Sequence, residues 1–145
     1  DGRLGGLPRR TLVEVEGCRI GIIHGNRSRL IEEPVTLLAT LTLGRLWLSM
    51  GLGRWLRRQF PEADVIVYGH THRARVEEIE GALVFNPGAV YQVTASEARR
   101  RLRRAPNWFE WSWLQVIRHR RDRPVASVGV LEVGQEVRAR VLPLG

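Results

Sequence analysis

Residues 64–72 read Asp64-Val65-Ile66-Val67-Tyr68-Gly69-His70-Thr71-His72. All four residues from 65 to 68 are β-branched or aromatic, the composition of a strand buried on both faces. Gly69 lets the backbone turn out of that strand, and two histidines follow at i and i+2. If the backbone stays extended, both imidazoles project to one side with Cα atoms roughly 6.5 Å apart. That spacing suits one imidazole on each of two metal ions about 3.5–4 Å apart. Taken alone, a His-x-His is as readily a polar strand end with two solvated rings.

A second apolar run, Arg19-Ile20-Gly21-Ile22-Ile23, also ends at a histidine, His24-Gly25. Sites in open α/β sheets gather at such strand ends. Three of the four histidines therefore end buried strands, while His119 sits among Arg118, Arg120 and Arg121 as a surface residue. Around this pair, residues 11–16 alternate as a half-buried strand, with a turn at Gly17. Pro34 opens a long apolar stretch to about Phe60, expected as one or two helices around Gly51 and Gly53. Arg45 and Arg54 interrupt it and argue against a membrane span. Strands are expected at 75–79 and 82–86, joined as a hairpin at Glu80-Gly81, followed by the rigid turn Asn86-Pro87-Gly88. Residues 97–104 read as a basic helix ended by Pro106, and a last hairpin, 125–133 with 136–142, turns at Gly134-Gln135. The order implies an α/β fold with mixed sheets in one domain, 1–145, carrying helical insertions at about 30–60 and 94–123.

Composition bounds the rest. The chain has 145 residues, 43% apolar, with a net charge of +8 carried by arginine alone on the basic side. That length buries a real core. The single cysteine, Cys18, excludes an internal disulfide framework and points to a reducing, cytoplasmic setting. Residues 97–123 hold nine arginines against Glu97, Glu110 and Asp122, a net +6 that concentrates most of the charge in one insertion. Trp108, Trp111 and Trp113 lie in the same insertion, and Trp47 and Trp55 in the earlier one. Arginine beside tryptophan suits an anionic membrane surface, a nucleic acid, or a helical lid that packs its tryptophans inward and leaves its arginines in water. Nucleic acid is the weaker of these partners.

Three segments taken together resemble the calcineurin-like metallophosphoesterases. They are Ile22-Ile23-His24-Gly25, then Ala63 through Arg73 with Gly69-His70-Thr71-His72, then Gly81 through Gly88 with Asn86-Pro87-Gly88. The nearest group is the small phosphodiesterases of the YfcE type, which are similar to the retromer subunit of the same fold. The resemblance covers about residues 7–26, 61–93 and 125–143. It implies a two-sheet β-sandwich flanked by helices and holding two divalent ions, Mn²⁺ first, with Ni²⁺, Fe²⁺ or Zn²⁺ as substitutes. These ions would activate a water for attack on a phosphoester substrate, either a diester or a monoester. By position in the motif, His24 and His70 would bind one ion and His72 the other.

The departures are as informative. The family opens with Asp-x-His, Gly-Asp and Gly-Asn-x-Asp segments; the first two and the Gly-Asn of the third are absent here, and Asp1 is compatible with the end of the third. The carboxylate that bridges the metals is therefore missing, and Ala89 stands where the family often has Ser. Three imidazoles do not saturate two hard divalent ions. The chain is thus expected to be inactive as it stands and incomplete at the amino end of its fold, its gene continuing upstream for about 50–70 residues. Two alternatives accompany this reading: a non-catalytic, protein-binding scaffold of the same fold, and a lipid-phosphate hydrolase with a helical lid, which would place the chain at a membrane.

Overall fold

The computed structural model describes residues 8–25, 33–35, 37–38, 41–42, 51–119 and 125–145. Two β-strands, β1 (Arg10–Val15) and β2 (Cys18–Ile23), form a hairpin with Arg10 opposite Ile23. Its two-residue turn is Glu16-Gly17, both at positive φ (49° and 80°). That geometry matches the right-handed strand twist, and glycine at the second position accommodates it without strain. The chain then crosses through a helix, α1 (Leu52–Gln59), to β3 (Val65–Tyr68). A second hairpin, β4 (Arg75–Ile79) and β5 (Ala82–Asn86), repeats the same turn with Glu80-Gly81 at φ 50° and 75°. Two helices follow, α2 (Ala95–Leu102) and α3 (Trp108–His119), and the chain closes with the hairpin β6 (Ser127–Glu132) and β7 (Arg138–Pro143).

The strands make two sheets. Five join in the order β1-β2-β3-β5-β4, parallel at β2–β3 and β3–β5 and antiparallel at both edges; β6 and β7 form the other. The α/β sandwich with mixed sheets expected from the sequence is therefore present. Each face of the central strand enters a different core because its side chains alternate. Ile66 and Tyr68 join Val84 on the helical side, packed with Leu52, Leu56, Phe60 and Ala63. Val65 joins Cys18 and Ile20 on the other side, where Leu131, Val133 and Val137 of the closing hairpin cover them. The fully buried Leu56 and Ile66 each contribute about 1.5–3 kcal/mol by removal from water.

Some boundaries differ from the sequence reading. Within the apolar stretch from Pro34 to Phe60, expected as one or two helices around Gly51 and Gly53, residues 33–35, 37–38 and 41 are helical and α1 starts after Gly51, at φ 68°. Trp47 and Arg45 lie outside the described residues, whereas Trp55 packs against the helical core. α1 ends where the Arg57 guanidinium donates to the carbonyls of Phe60 and Ala63, both at 2.9 Å. A cation there also complements the helix dipole. α2 begins at Ala95 rather than 97, because Thr94 caps it by accepting from the Glu97 N–H at 3.2 Å. No helix among the described residues is long and apolar enough to cross a membrane.

Gly21 illustrates how tightly the helix–sheet layer closes. A Cβ at this position would lie 2.6 Å from the Phe60 ring. Gly21→Ala is expected to displace Phe60 and lower stability by about 1–3 kcal/mol, as overpacking does, measured by urea unfolding. A second expectation concerns Asp64. Its carboxylate accepts from the Arg19 backbone N–H at 2.8 Å and pairs with the Arg19 guanidinium, which together hold its pKa below the usual carboxylate range. A depressed folded pKa contributes stability above the unfolded value and loses it as pH falls through the folded one. Asp64→Ala should therefore lower the Tm at pH 7, with the gap to the parent narrowing in thermal melts below about pH 4.

Candidate metal centre

The site starts from the β2–β3 ladder. Ile23 pairs with Tyr68 at the last rung, so His24 and Gly69 leave the sheet side by side. The Gly69 N–H donates to the His24 carbonyl at 3.1 Å, carrying the pairing one step past both strands. This brings the rings of His24 and His70 together, with centroids 5.5 Å apart and an edge-to-face angle of 71°. Two residues 46 positions apart in sequence thus share one end of the sheet.

The backbone does not stay extended beyond Gly69. The Thr71 N–H returns to the Gly69 carbonyl at 2.7 Å, with His70 between them at φ 65°. This i to i+2 bond around a positive φ is a γ-turn of the rare, strained kind. His72 is also at positive φ, 54°. The extended i, i+2 geometry expected from the sequence is therefore replaced by a tight turn. The His72 carbonyl accepts from the Gln92 side chain at 2.7 Å, anchoring the far side of the loop. His72 is exposed, whereas His70 is half-buried. His119 lies on the last turn of α3, its Nδ1 bonded to the Gln115 carbonyl.

Asn86 holds the turn in place. It is fully buried at the end of β5, and its side-chain amide donates to the Gly69 carbonyl at 2.9 Å and to the Thr71 hydroxyl at 3.0 Å. Its Oδ1 accepts from the Gly88 N–H at 2.9 Å, an Asx-turn that folds Asn86-Pro87-Gly88 back on itself. Ser127 supports that turn from the second sheet: its hydroxyl donates to the Pro87 carbonyl at 2.8 Å, and its N–H to Ala89. A Cβ on Gly88, which sits at φ 88°, would collide with the Ser127 hydroxyl. The sequence marked Asn86 only as part of a rigid turn; the Asn-Pro-Gly motif was its signal. Ser127 and Gln92 carried none, since a serine in a strand and a lone glutamine are commonplace.

Electrostatically, His24 is biased toward its neutral form. Loss of water around its ring pushes its pKa down, and the neighbouring His70 imidazole adds to this. The neutral imidazole is the form that ligates metals. The donor set is partial, however. Among the described residues, no group of three or more His, Cys, Asp or Glu side chains is placed to hold a metal ion. His24 and His70 can occupy two positions of one ion's shell, and hard divalent ions require several oxygen donors besides. The described residues do not by themselves fit a complete two-metal centre.

The family model for calcineurin-like phosphoesterase superfamily domains matches residues 2–102. The chain belongs to this superfamily. A probable metallophosphoesterase from Methanothermobacter thermautotrophicus is 34% identical over 82 residues, which are 57% of this chain and 37% of that protein. A second, from Methanocaldococcus jannaschii, is 29% identical over 83 residues, 57% of this chain and 34% of that protein. The matched stretch thus spans about a third of the length of these relatives. Vps29 from Entamoeba histolytica, solved with zinc, has a TM-score of 0.51 at 18% identity, covering 97% of this chain and 63% of that one. A predicted phosphoesterase from Streptococcus pneumoniae has a TM-score of 0.52 at 18% identity, covering 95% and 55%. At these identities the two structures show a shared fold.

Removing the amide that clamps the γ-turn tests this architecture. Asn86→Ala deletes three hydrogen bonds at a buried position, each worth about 1 kcal/mol net. A loss of about 3 kcal/mol in denaturant unfolding is expected.

Proposed function

We propose that this chain supplies the later half of the metal centre of a two-metal phosphoesterase, with His24 and His70 directed to one divalent ion and His72 to the other. The observation that supports it most is the pairing of His24 and His70 rings, 5.5 Å apart, at the ends of two adjacent parallel strands. Parallel strands direct their carboxyl ends the same way, so ligands carried just beyond them share one rim. Bound ions, Mn²⁺ foremost, would supply Lewis acidity toward a phosphoester and lower the pKa of water. The chain's own part is to hold imidazoles at fixed positions through the Gly69–His24 bond and the Asn86 clamp.

The missing oxygen donors define the rest of the proposal. We assign them to parts of the protein other than the described residues. A cytoplasmic setting rests on the lone, buried Cys18. An anionic membrane surface as a partner at 97–123 is a separate matter of the helical hairpin.

A second reading is a non-catalytic scaffold of the same fold. It is favoured by the incomplete donor set and by the fold shared with Vps29. The two readings separate in one experiment. In the whole protein, Mn²⁺-dependent hydrolysis of bis-p-nitrophenyl phosphate is expected, reduced at least about 100-fold by His70→Ala. No metal-dependent hydrolysis by a folded, metal-loaded protein would favour the scaffold.

A further inference from the structure

The helical hairpin α2–α3 carries the strongest feature that the metal site does not use. α3 is capped by Asn107, whose side chain accepts from the Glu110 N–H at 2.9 Å while its carbonyl accepts from the Trp111 N–H at 2.8 Å. This cap fixes which residues occupy the first turn. Three large rings result there: Trp108, Phe109 and Trp111 are 55%, 45% and 43% exposed. A lid that packs its tryptophans inward would bury them. Ser112, Leu114 and Val116 are the residues α3 buries instead. Trp108, Trp111, Gln115 and Arg118 follow one another at i, i+3, i+7 and i+10, so they line a single stripe of the helix.

The charge on these two helices is mainly of one sign. From 95 to 119 there are six arginines against Glu97 and Glu110. Glu97 is already engaged: it accepts from the Arg101 guanidinium and from the Tyr91 hydroxyl, and its pKa is held down by both. Glu110 is half-buried. Arg99, Arg103 and Arg104 are exposed, and their guanidiniums have no ion pair among the described residues. Arg103 and Arg104 stand only five and four residues before Trp108, across the turn at Ala105.

We propose that this face docks on an anionic lipid bilayer, with the three rings at headgroup depth and Arg99, Arg103 and Arg104 on lipid phosphates. Indole rings settle at the boundary between headgroups and acyl chains, where an apolar body and a polar N–H are both satisfied. Guanidiniums gain from the negative surface potential in the same zone. A second copy of this chain fits the face poorly, because two such arginine clusters would repel. A single-stranded nucleic acid fits less well than a bilayer, since its binding sites set successive rings along a charged groove, whereas here the rings crowd one helical turn. The proposal is independent of hydrolysis.

The test is partition of the 145-residue chain into vesicles. Binding to vesicles with 30% phosphatidylglycerol should exceed binding to pure phosphatidylcholine by at least about tenfold in 50 mM salt, and should weaken as salt rises. Arg99→Ser, Arg103→Ser and Arg104→Ser together should weaken it by about 10- to 100-fold. Tryptophan emission should be quenched by brominated lipid, and Trp108→Ser with Trp111→Ser should remove most of that quenching. Circular dichroism checks that each variant keeps its fold, and the comparison of lipids with the unaltered chain needs no variant. Equal partition into both vesicles would overturn the proposal. So would anionic binding that survives the arginine substitutions, displacement from vesicles by a single-stranded oligonucleotide at equal charge, or burial of the rings in a dimer seen by light scattering.

Discussion

The parallel ladder between β2 and β3 is the contact on which the rest of this molecule depends. It joins residues 20–23 to residues 65–68, and its register is set by burial on both faces of β3. A slip of one residue would exchange Ile66 and Tyr68 with Val65 and Val67 between the helical core and the hairpin core. Both cores would then lose their fit at once. The same ladder places His24 beside Gly69, so the energy that pins the sheet also pins the histidine pair. Packing and chemistry are therefore not separable at this end of the sheet.

The site adds a local cost that the fold offsets. A histidine at positive φ inside a γ-turn is strained by about 1–3 kcal/mol and persists only where its surroundings over-determine it. Here those surroundings come from three separate places in the chain. Gly69 bonds to His24 just past β2, Asn86 reaches across from β5, and Ser127 props the Asn-Pro-Gly turn from the other sheet. The second sheet thus has two functions: Leu131, Val133 and Val137 cover an apolar face, and Ser127 extends support toward His70.

The helical hairpin follows a different logic. Its outward face is rich in aromatic rings and arginine while its inward face is modestly apolar, and it contributes no described residue to the histidine pair. Thr94 with Glu97 and Asn107 with Glu110 cap the two helices in the same way, each a short polar side chain accepting from the N–H three residues on. Capping fixes where each helix starts, and hence which rings and guanidiniums are presented to the outside.

Much of this was legible in the residues themselves. Apolar runs at 19–23 and 64–68, glycine-bearing turns at 17 and 81, and histidines placed just past the strands identify elements because those signals are local: periodicity, φ freedom and the absence of a buried role for imidazole. The order of motifs then identified the superfamily. What the sequence left open depends on contacts between distant residues. The extended path through His70-Thr71-His72 was the natural local reading, and it fails because a carbonyl and a hydroxyl there are claimed by Asn86, fifteen to seventeen residues on. The exposure of Trp108 and Trp111 was equally undecidable, since a tryptophan beside arginine serves a core or a surface equally well. Only the tertiary structure chose, because burial is a property of what packs against a helix rather than of the helix's own residues.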